Sequence, residues 1–416
     1  TVALAITVYT GGPVEMVSGG WPTGIGITLR ADALGAVFAV VVTAVLLAVL
    51  VHEVVSGVRE RAFPALVLFM AAGLGGLFLT GDVFNFYVFF EVSMTTGFVL
   101  ASYGQEQRQI RDALTFTVVN LLGSVLFLNG VAALYHVTGT LDMRSVGEQV
   151  DRAEPNTVIL IAVLFFVAFS LKLGLFPFHN WLPPVYEGTH PAVAAILSGA
   201  LANIGSYGLL RFGADLFAKE LQLAAPALLL LGGLSVVYGA VLAASRRTAP
   251  AVLAYSSISQ AGYILIALAV GGSIGYGAAV VYTIVNALNK TLLFLAAGLR
   301  GWFVAAAFAV GGFSVAGVPP SAGFFGKAAL FRVGIEAESL GVVLLVLTGG
   351  ALSFVYMFQS YQREFWERST TEPPSPLAPR ILVVILAGLV VGLGIWPEPL
   401  LAAGERAARA LMGEPS

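Results

Sequence analysis

Three of the four lysines in this 416-residue chain, Lys172, Lys290 and Lys327, stand inside long apolar runs, and so does one carboxylate, Glu91. A lysine at the centre of a bilayer costs about 2.5–3.5 kcal/mol on insertion scales. The seventeen arginines lie nearly all in polar connections or at the ends of apolar runs. Buried lysine gives up its proton readily, whereas arginine effectively does not. Lysine in place of arginine at membrane depth therefore points to groups that change protonation state. Glu91 is the one acidic residue well inside a run, and its expected partner is Lys172. An opposite charge within about 4–6 Å keeps a carboxylate ionised, and desolvation pushes it neutral. A pair poised between the two can take or release a proton. The alternative is a static ion pair that only fixes helix packing, since buried pairs often add little stability.

The second half of the chain has no carboxylate for its lysines, because none occurs between Glu220 and Glu336. In "TIVNALNKTLL", Asn286 and Lys290 are four apart and share a helix face. That face is expected to carry a proton with the help of water. The stretch "AYSSISQAGY" adds Ser256, Ser257, Ser259 and Gln260, which either line water or only join helices. Lys327 follows "PPSAGFFG" and His179 lies in "FPFHNW". His179 either passes protons near its own pKa or caps freed backbone. Lys290 and Lys327 have a blander alternative, in which each reaches toward an interface or a helix end.

The elements that must hold these groups follow from composition. The chain is 58% apolar and only 11% charged, with net charge −2 and mean hydropathy +0.90. A soluble chain carries roughly a quarter charged residues, so a polytopic all-α membrane protein is expected. There is no sign of nucleic-acid binding. With no cysteine, disulfides, iron–sulfur ligation and thiolate metal sites are excluded. The four histidines are too scattered for a metal site, and no cofactor is expected. About twelve runs approach the roughly 20 residues that a span needs: 31–55, 63–80, 83–103, 113–136, 156–176, 191–211, 223–244, 250–270, 274–299, 302–333, 338–362 and 380–398.

Two of these runs are interrupted, at "FSLKLGLFPFHNWLPP" and "FSVAGVPPSAGFFGKAALF". Proline at membrane depth breaks or kinks a helix, and matched breaks in two halves point to inverted repeats. The division expected is one membrane domain over 1–416, with repeats at 63–211 and 223–362 and a C-terminal helix at 380–398. The first apolar residues read as the end of a span whose beginning is absent, and the abrupt junction at Gly301–Trp302 reads as missing residues. One set of alternate connections holds Arg59, Arg61, Arg108, Arg111, Arg246, Arg247, Arg300, Arg363, Arg368 and Arg380. The other holds only Arg144, Arg152, Arg211, Lys219 and Arg332. The first side reads as cytoplasmic and the Asp82 side as outward.

The segments "TGDVFNFYVFFEV", "LKLGLFPFHNWLP", "RRTAPAVLAYSSISQAGYILIALAVG", "NALNKTLLFLAAG" and "GVPPSAGFFGK" resemble the proton-conducting antiporter-like membrane subunits. That family spans respiratory complex I, membrane-bound hydrogenases and Mrp sodium/proton antiporters. The "GDxFNxYVFFEV" form and "GGWPTGIGITLRADALGAVF" are most similar to the D-type subunits of the Mrp branch. The resemblance covers about residues 18–360. It implies a 14-helix fold with two inverted five-helix repeats, each with a broken helix. It also implies proton-transfer roles for Glu91, Lys172, Lys290 and Lys327, and partner subunits of the Mrp A, B, C, E, F and G types. By the same resemblance the setting is a bacterial plasma membrane, protons are the direct substrate and sodium the indirect one. The family usually has a lysine, joining the two halves, where this chain has Asn203. A proton-pumping subunit of a redox complex and a non-transporting structural subunit are the alternative readings.

Overall fold

A computed structural model describes residues 1–21, 26–58, 61–103, 106–367 and 374–414. A short helix α1 (Val2–Gly11) leads into an antiparallel hairpin of β1 (Val14–Val17) and β2 (Thr28–Ala31), with Val14 opposite Ala31. Helices α2 (Ala33–Ser56), α3 (Phe63–Leu79), α4 (Val83–Ala101) and α5 (Gln107–Thr138) follow, then the short α6 (Met143–Val150). Next come α7 (Pro155–Leu173), α8 (Leu182–Gly188), α9 (Pro191–Ile196) and α10 (Asn203–Leu210). The second half comprises α11 (Ala218–Ser245), α12 (Ala249–Val270), α13 (Gly272–Ala297), α14 (Trp302–Ala316), α15 (Ala322–Glu336) and α16 (Leu340–Tyr361). The chain closes with α17 (Leu377–Ile395) and α18 (Glu398–Leu411).

Ten of the helices described, with α9 and α10 joined as Pro191–Leu216, are long and apolar enough to cross a membrane. The shorter apolar α3 and the α14–α15 pair match the remaining two expected spans. Apolar runs become helices because lipid offers no partner to a backbone amide, so each must be satisfied within its own segment. On the Asp82 side several helices start on an acidic cap. Asp32 accepts from Gly35 N, Asp82 from Asn85 N, Asp142 from Ser145 N and Glu154 from Thr157 N. A carboxylate there meets both the orphan amides and the positive end of the helix dipole.

The run expected at 302–333 is two half-helices. Gly317, at φ +86°, ends α14, and α15 starts at Ala322. In the first half Gly174, at φ +69°, ends α7, and α8 starts at Leu182. Both glycines adopt the left-handed conformation that residues with a Cβ avoid. At the junction near Trp302, the residues between Ala297 and Trp302 make the turn, with Gly301 at φ +123°. Arg300 N donates to Ser375 Oγ and Arg300 also pairs with Glu364, which ties that turn to the start of α17 and the end of α16. Of the arginines counted for orientation, Arg59 and Arg368 lie outside the described residues.

Candidate functional site: buried lysines and their acceptors

Lys290 is completely buried on α13 and donates to Leu253 O at 3.0 Å and Ser256 Oγ at 2.8 Å, both on α12. Ser256 Oγ is 3.0 Å from the Tyr356 hydroxyl on α16. Gln260 Nε2 donates to the same hydroxyl at 3.1 Å, and Tyr282 OH donates to Gln260 Oε1. Tyr356 also reaches Ser353 Oγ at 3.1 Å. These contacts form one unbroken chain from Lys290 through Ser256, Tyr356 and Gln260 to Tyr282. Lys327 on α15 sits at its far end, with Nζ 3.7 Å from the Tyr263 ring centroid and 5.7 Å from that of Tyr282. Its ammonium is buried and has no hydrogen-bond partner among the described residues. The break before it allows this placement. A Cβ on Gly317 would lie 2.5 Å from Lys327 Cγ, so only glycine fits.

The expected partners of this half are partly corrected. Asn286 does not bond to Lys290, which turns to α12, and its Oδ1 is buried without a hydrogen-bond partner among the described residues. Ser257 bonds back to Leu253 O within its own helix, and Ser259 reaches Val236 O on α11. Ser256 and Gln260 are the members of that stretch that face the lysine and the tyrosines. Tyr356 and Tyr282 escaped the sequence reading, since a tyrosine within an apolar run carries no signal of its own.

In the first half, Lys172 is buried on α7 and donates to Asn120 O at 3.0 Å, with Ser124 Oγ at 3.5 Å, both on α5. The Phe90 ring lies over its ammonium at 4.2 Å. No ion pair joins Lys172 to Glu91 among the described residues, which corrects the expected contact. The cause is helical geometry: successive side chains point about 100° apart, so when Phe90 covers Lys172, Glu91 points to the neighbouring flank. Glu91 is only partly buried, with Oε1 enclosed and without a hydrogen-bond partner among the described residues.

His179 is buried after the first break, against Phe176 and Tyr238, with ring centroids 5.6 and 4.6 Å away. Its Nδ1 has no hydrogen-bond partner among the described residues. The freed backbone of α7 is capped instead by Trp181, whose indole donates to Leu171 O at 3.0 Å. Asn203 is buried and donates to Gly199 O at 2.7 Å, across a π-helical turn at Leu197–Leu201. It lies on the helix that bridges the halves: Gly205 packs on Leu173 of α7, and Gly199 on Thr291 of α13. The site therefore holds two separate groups of contacts, with Asn203 bonded to its own helix between them.

A third set of charges was not foreseen. At the Asp82 end, Arg211 is buried and donates to Asp32 Oδ1 at 2.7 Å, Asp215 Oδ2 at 3.2 Å and the Tyr207 hydroxyl at 3.2 Å. Burial alone would raise the Asp32 carboxyl. The Arg211 guanidinium, the Gly35 amide and Arg30 together hold it below the usual carboxylate range. Between this cluster and Lys172 stands a block of rings. Tyr207 packs on Phe86, and Phe86, Phe127, Phe169 and Phe212 pack on one another at 5.1–5.9 Å.

Residues 80–302 match the family described as "NADH:quinone oxidoreductase/Mrp antiporter, TM". The D-type subunit of the Na(+)/H(+) antiporter of Alkalihalophilus pseudofirmus is 31% identical, over 96% of this chain and 86% of its own length. The chain belongs to this family. Among solved structures, a chain of the Mrp complex from Dietzia sp. superposes with a TM-score of 0.91 at 25% identity, covering 99% of this chain and 89% of that one. An archaeal membrane-bound sulfane sulfur reductase matches with the same score, identity and coverage. The helical architecture of the Mrp and quinone-oxidoreductase family is thus common to an antiporter and a redox complex. The family match encloses Glu91, Lys172, Asn203 and Lys290, and Lys327 lies beyond its end.

Proposed function

We propose that this chain is the proton-translocating D-type subunit of a multi-subunit sodium/proton antiporter in a bacterial plasma membrane, a transporter subunit and not an enzyme in its own right. The observation that carries the proposal is the buried chain from Lys290 to Tyr282, with Lys327 at its end. Three lysines in the bilayer interior cost on the order of 10 kcal/mol together, comparable to the whole stability of a folded domain. None has a carboxylate within ion-pair distance among the described residues, so packing alone gives no reason to keep them. Each ammonium meets neutral oxygens or ring faces, partners that also tolerate the neutral amine. A proton can then leave and return without stranding a carboxylate.

The repeats 63–211 and 223–362 belong to the same proposal. Support comes from the two glycine-terminated breaks, each within reach of a buried lysine. Glu91 acts as the acid of the first half, from the half-buried flank of α4 next to the one where Phe90 meets Lys172. Partner subunits are the natural cover for that flank, since a carboxylate facing lipid is costly.

Sodium/proton antiport in everted vesicles tests the reading. The assembled complex carrying Glu91→Gln or Lys172→Ala is expected to lose antiport, and antiport retained by both overturns it. The redox-complex reading is supported by the equal likeness to the sulfane sulfur reductase. The subunits that purify with this chain decide between the two.

A further inference from the structure

On the flank of the second half, α14 and α16 leave a groove of about 220 Å³. Phe308 and Phe313 of α14 form one wall; Phe354, Phe358, Tyr361 and Trp366, on α16 and the turn after it, form the other. The groove has depth because Ala309 and Gly312 are small. A Cβ on Gly312 would lie 3.4 Å from Met357 Cβ, which closes the floor. The rings make a ladder along the helix axis. Phe313 stacks on Phe354 at 6.2 Å, Phe354 on Phe358 at 6.1 Å, and Phe358 meets Trp366 edge-on at 5.8 Å. These four rings are 40–57% exposed. Water does not settle in an apolar cavity, and ring faces left without neighbours forfeit dispersion contacts. The groove is therefore a seat for hydrocarbon. From Phe354 to Trp366 the helix rises about 18 Å, close to the depth of one leaflet, about 15 Å.

The end of this groove opposite Asp82 carries charge. Arg363 stands between Tyr361 and Trp366 in sequence, and its Nη1 donates to Arg246 O in the turn from α11 to α12. The Arg246 guanidinium lies 4.6 Å from the Tyr255 ring centroid, with Nε buried and without a hydrogen-bond partner among the described residues. Arg247 beside it is exposed. None of the three pairs with a carboxylate among the described residues, Glu364 being held by Arg300 and Glu367 exposed. Like charges gathered in this way repel unless an anion joins them, and a guanidinium matches phosphate oxygens with paired N–H donors.

We propose that α14, α16 and the α11–α12 turn bind one anionic diacyl phospholipid, its phosphate on Arg246 and Arg363 and one acyl chain in the aromatic groove. A transmembrane helix of another subunit fits less well, because its seat would run the full hydrocarbon thickness of about 30 Å. The bound chain backs the wall that carries Tyr356, since Met357 lines the groove and Tyr356 faces inward to Ser256. The site stands on the groove and the arginines, independently of the relay reading.

The assembled complex is reconstituted in phosphatidylcholine vesicles with a trace of phosphatidylglycerol carrying a diazirine in its acyl chain, then irradiated and digested. Adducts are expected within 308–313 and 354–366, the segments that line the groove. An excess of about tenfold of unlabelled phosphatidylglycerol should cut them about tenfold by competition, and the same addition of phosphatidylcholine should leave them unchanged. Arg246→Gln combined with Arg363→Gln should abolish that preference, and Ala309→Phe, which fills the groove, should remove the adducts. No adduct in either segment, as when a partner subunit covers this face, overturns the site. Equal competition by phosphatidylcholine overturns the anionic headgroup. A preference retained by the arginine variant overturns the role of the arginines, and adducts that persist in Ala309→Phe overturn the groove as the seat. Should a variant fail to assemble, the competition on the unaltered complex still decides.

Discussion

The molecule handles buried cations in two opposite ways. At the Asp82 end Arg211 is enclosed by Asp32, Asp215 and the Tyr207 hydroxyl. Deeper in the bundle, Lys290 and Lys327 meet a carbonyl, a serine hydroxyl and aromatic faces, with no carboxylate in ion-pair contact among the described residues. Arginine keeps its charge, so its site must neutralise it permanently. Lysine can shed its charge, so its site need only tolerate both forms. The paired cluster therefore reads as a joint between α2 and the Pro191–Leu216 span, and the lysines are the groups that the proposed relay uses.

The comparison breaks most severely at Asp32. Asp32→Asn leaves Arg211 short of its nearest counter-charge and is expected to destabilise the protein by about 3 kcal/mol or more, measured by thermal unfolding of the purified complex. Because the Asp32 carboxyl is held low in the folded state, its stabilisation is present above the unfolded value near pH 4 and is lost as pH falls through the folded value. The wild type should therefore lose stability on acidification over that window, and the variant should lack this component. An unchanged melting profile would show that the pair is no joint.

Lys290→Arg asks the reverse question by placing a permanent charge where no carboxylate waits. Antiport per assembled complex should fall by about 10²-fold, the scale of a lost proton-transfer group. Near-normal flux would mean that Lys290 never needs to deprotonate. Tyr356→Phe keeps the ring and removes the hydroxyl that links Ser256 to Gln260. Antiport should drop by about tenfold with assembly unchanged, and full activity would cut the proposed chain. Ser124→Ala in the first half is expected to have the smallest effect, within about threefold. Its contact to Lys172 is long at 3.5 Å, and the Asn120 carbonyl remains.

The lysines were legible as charges in apolar runs, and the breaks were legible as proline and glycine at membrane depth. The direction of Glu91 was not. A helix that is apolar nearly all round has no polar stripe to say which flank faces inward. The choice between Phe90 and Glu91 as the residue over Lys172 depends on how α4 is rotated against its neighbours. Tyr356 was illegible for a related reason. Its contacts to Ser256 and Gln260 cross 100 and 96 residues of sequence, and no local pattern marks it among the other aromatics. The exclusion of Ser257 and the inclusion of Ser256, one residue apart, turn on the same unreadable rotation.

By itself the amino-acid sequence determined that this chain lives in a membrane, where its helices run and break, and which ionisable groups are left at depth. Those follow from local chemistry, because transfer free energy and the loss of a proline N–H belong to single residues and short runs. Only the tertiary structure decided which groups touch. It separated Glu91 from Lys172, turned Asn203 onto its own helix and joined Lys290 through Ser256, Tyr356 and Gln260 to Tyr282. Those outcomes depend on the rotation and crossing of helices remote in sequence, which packing of the whole bundle settles.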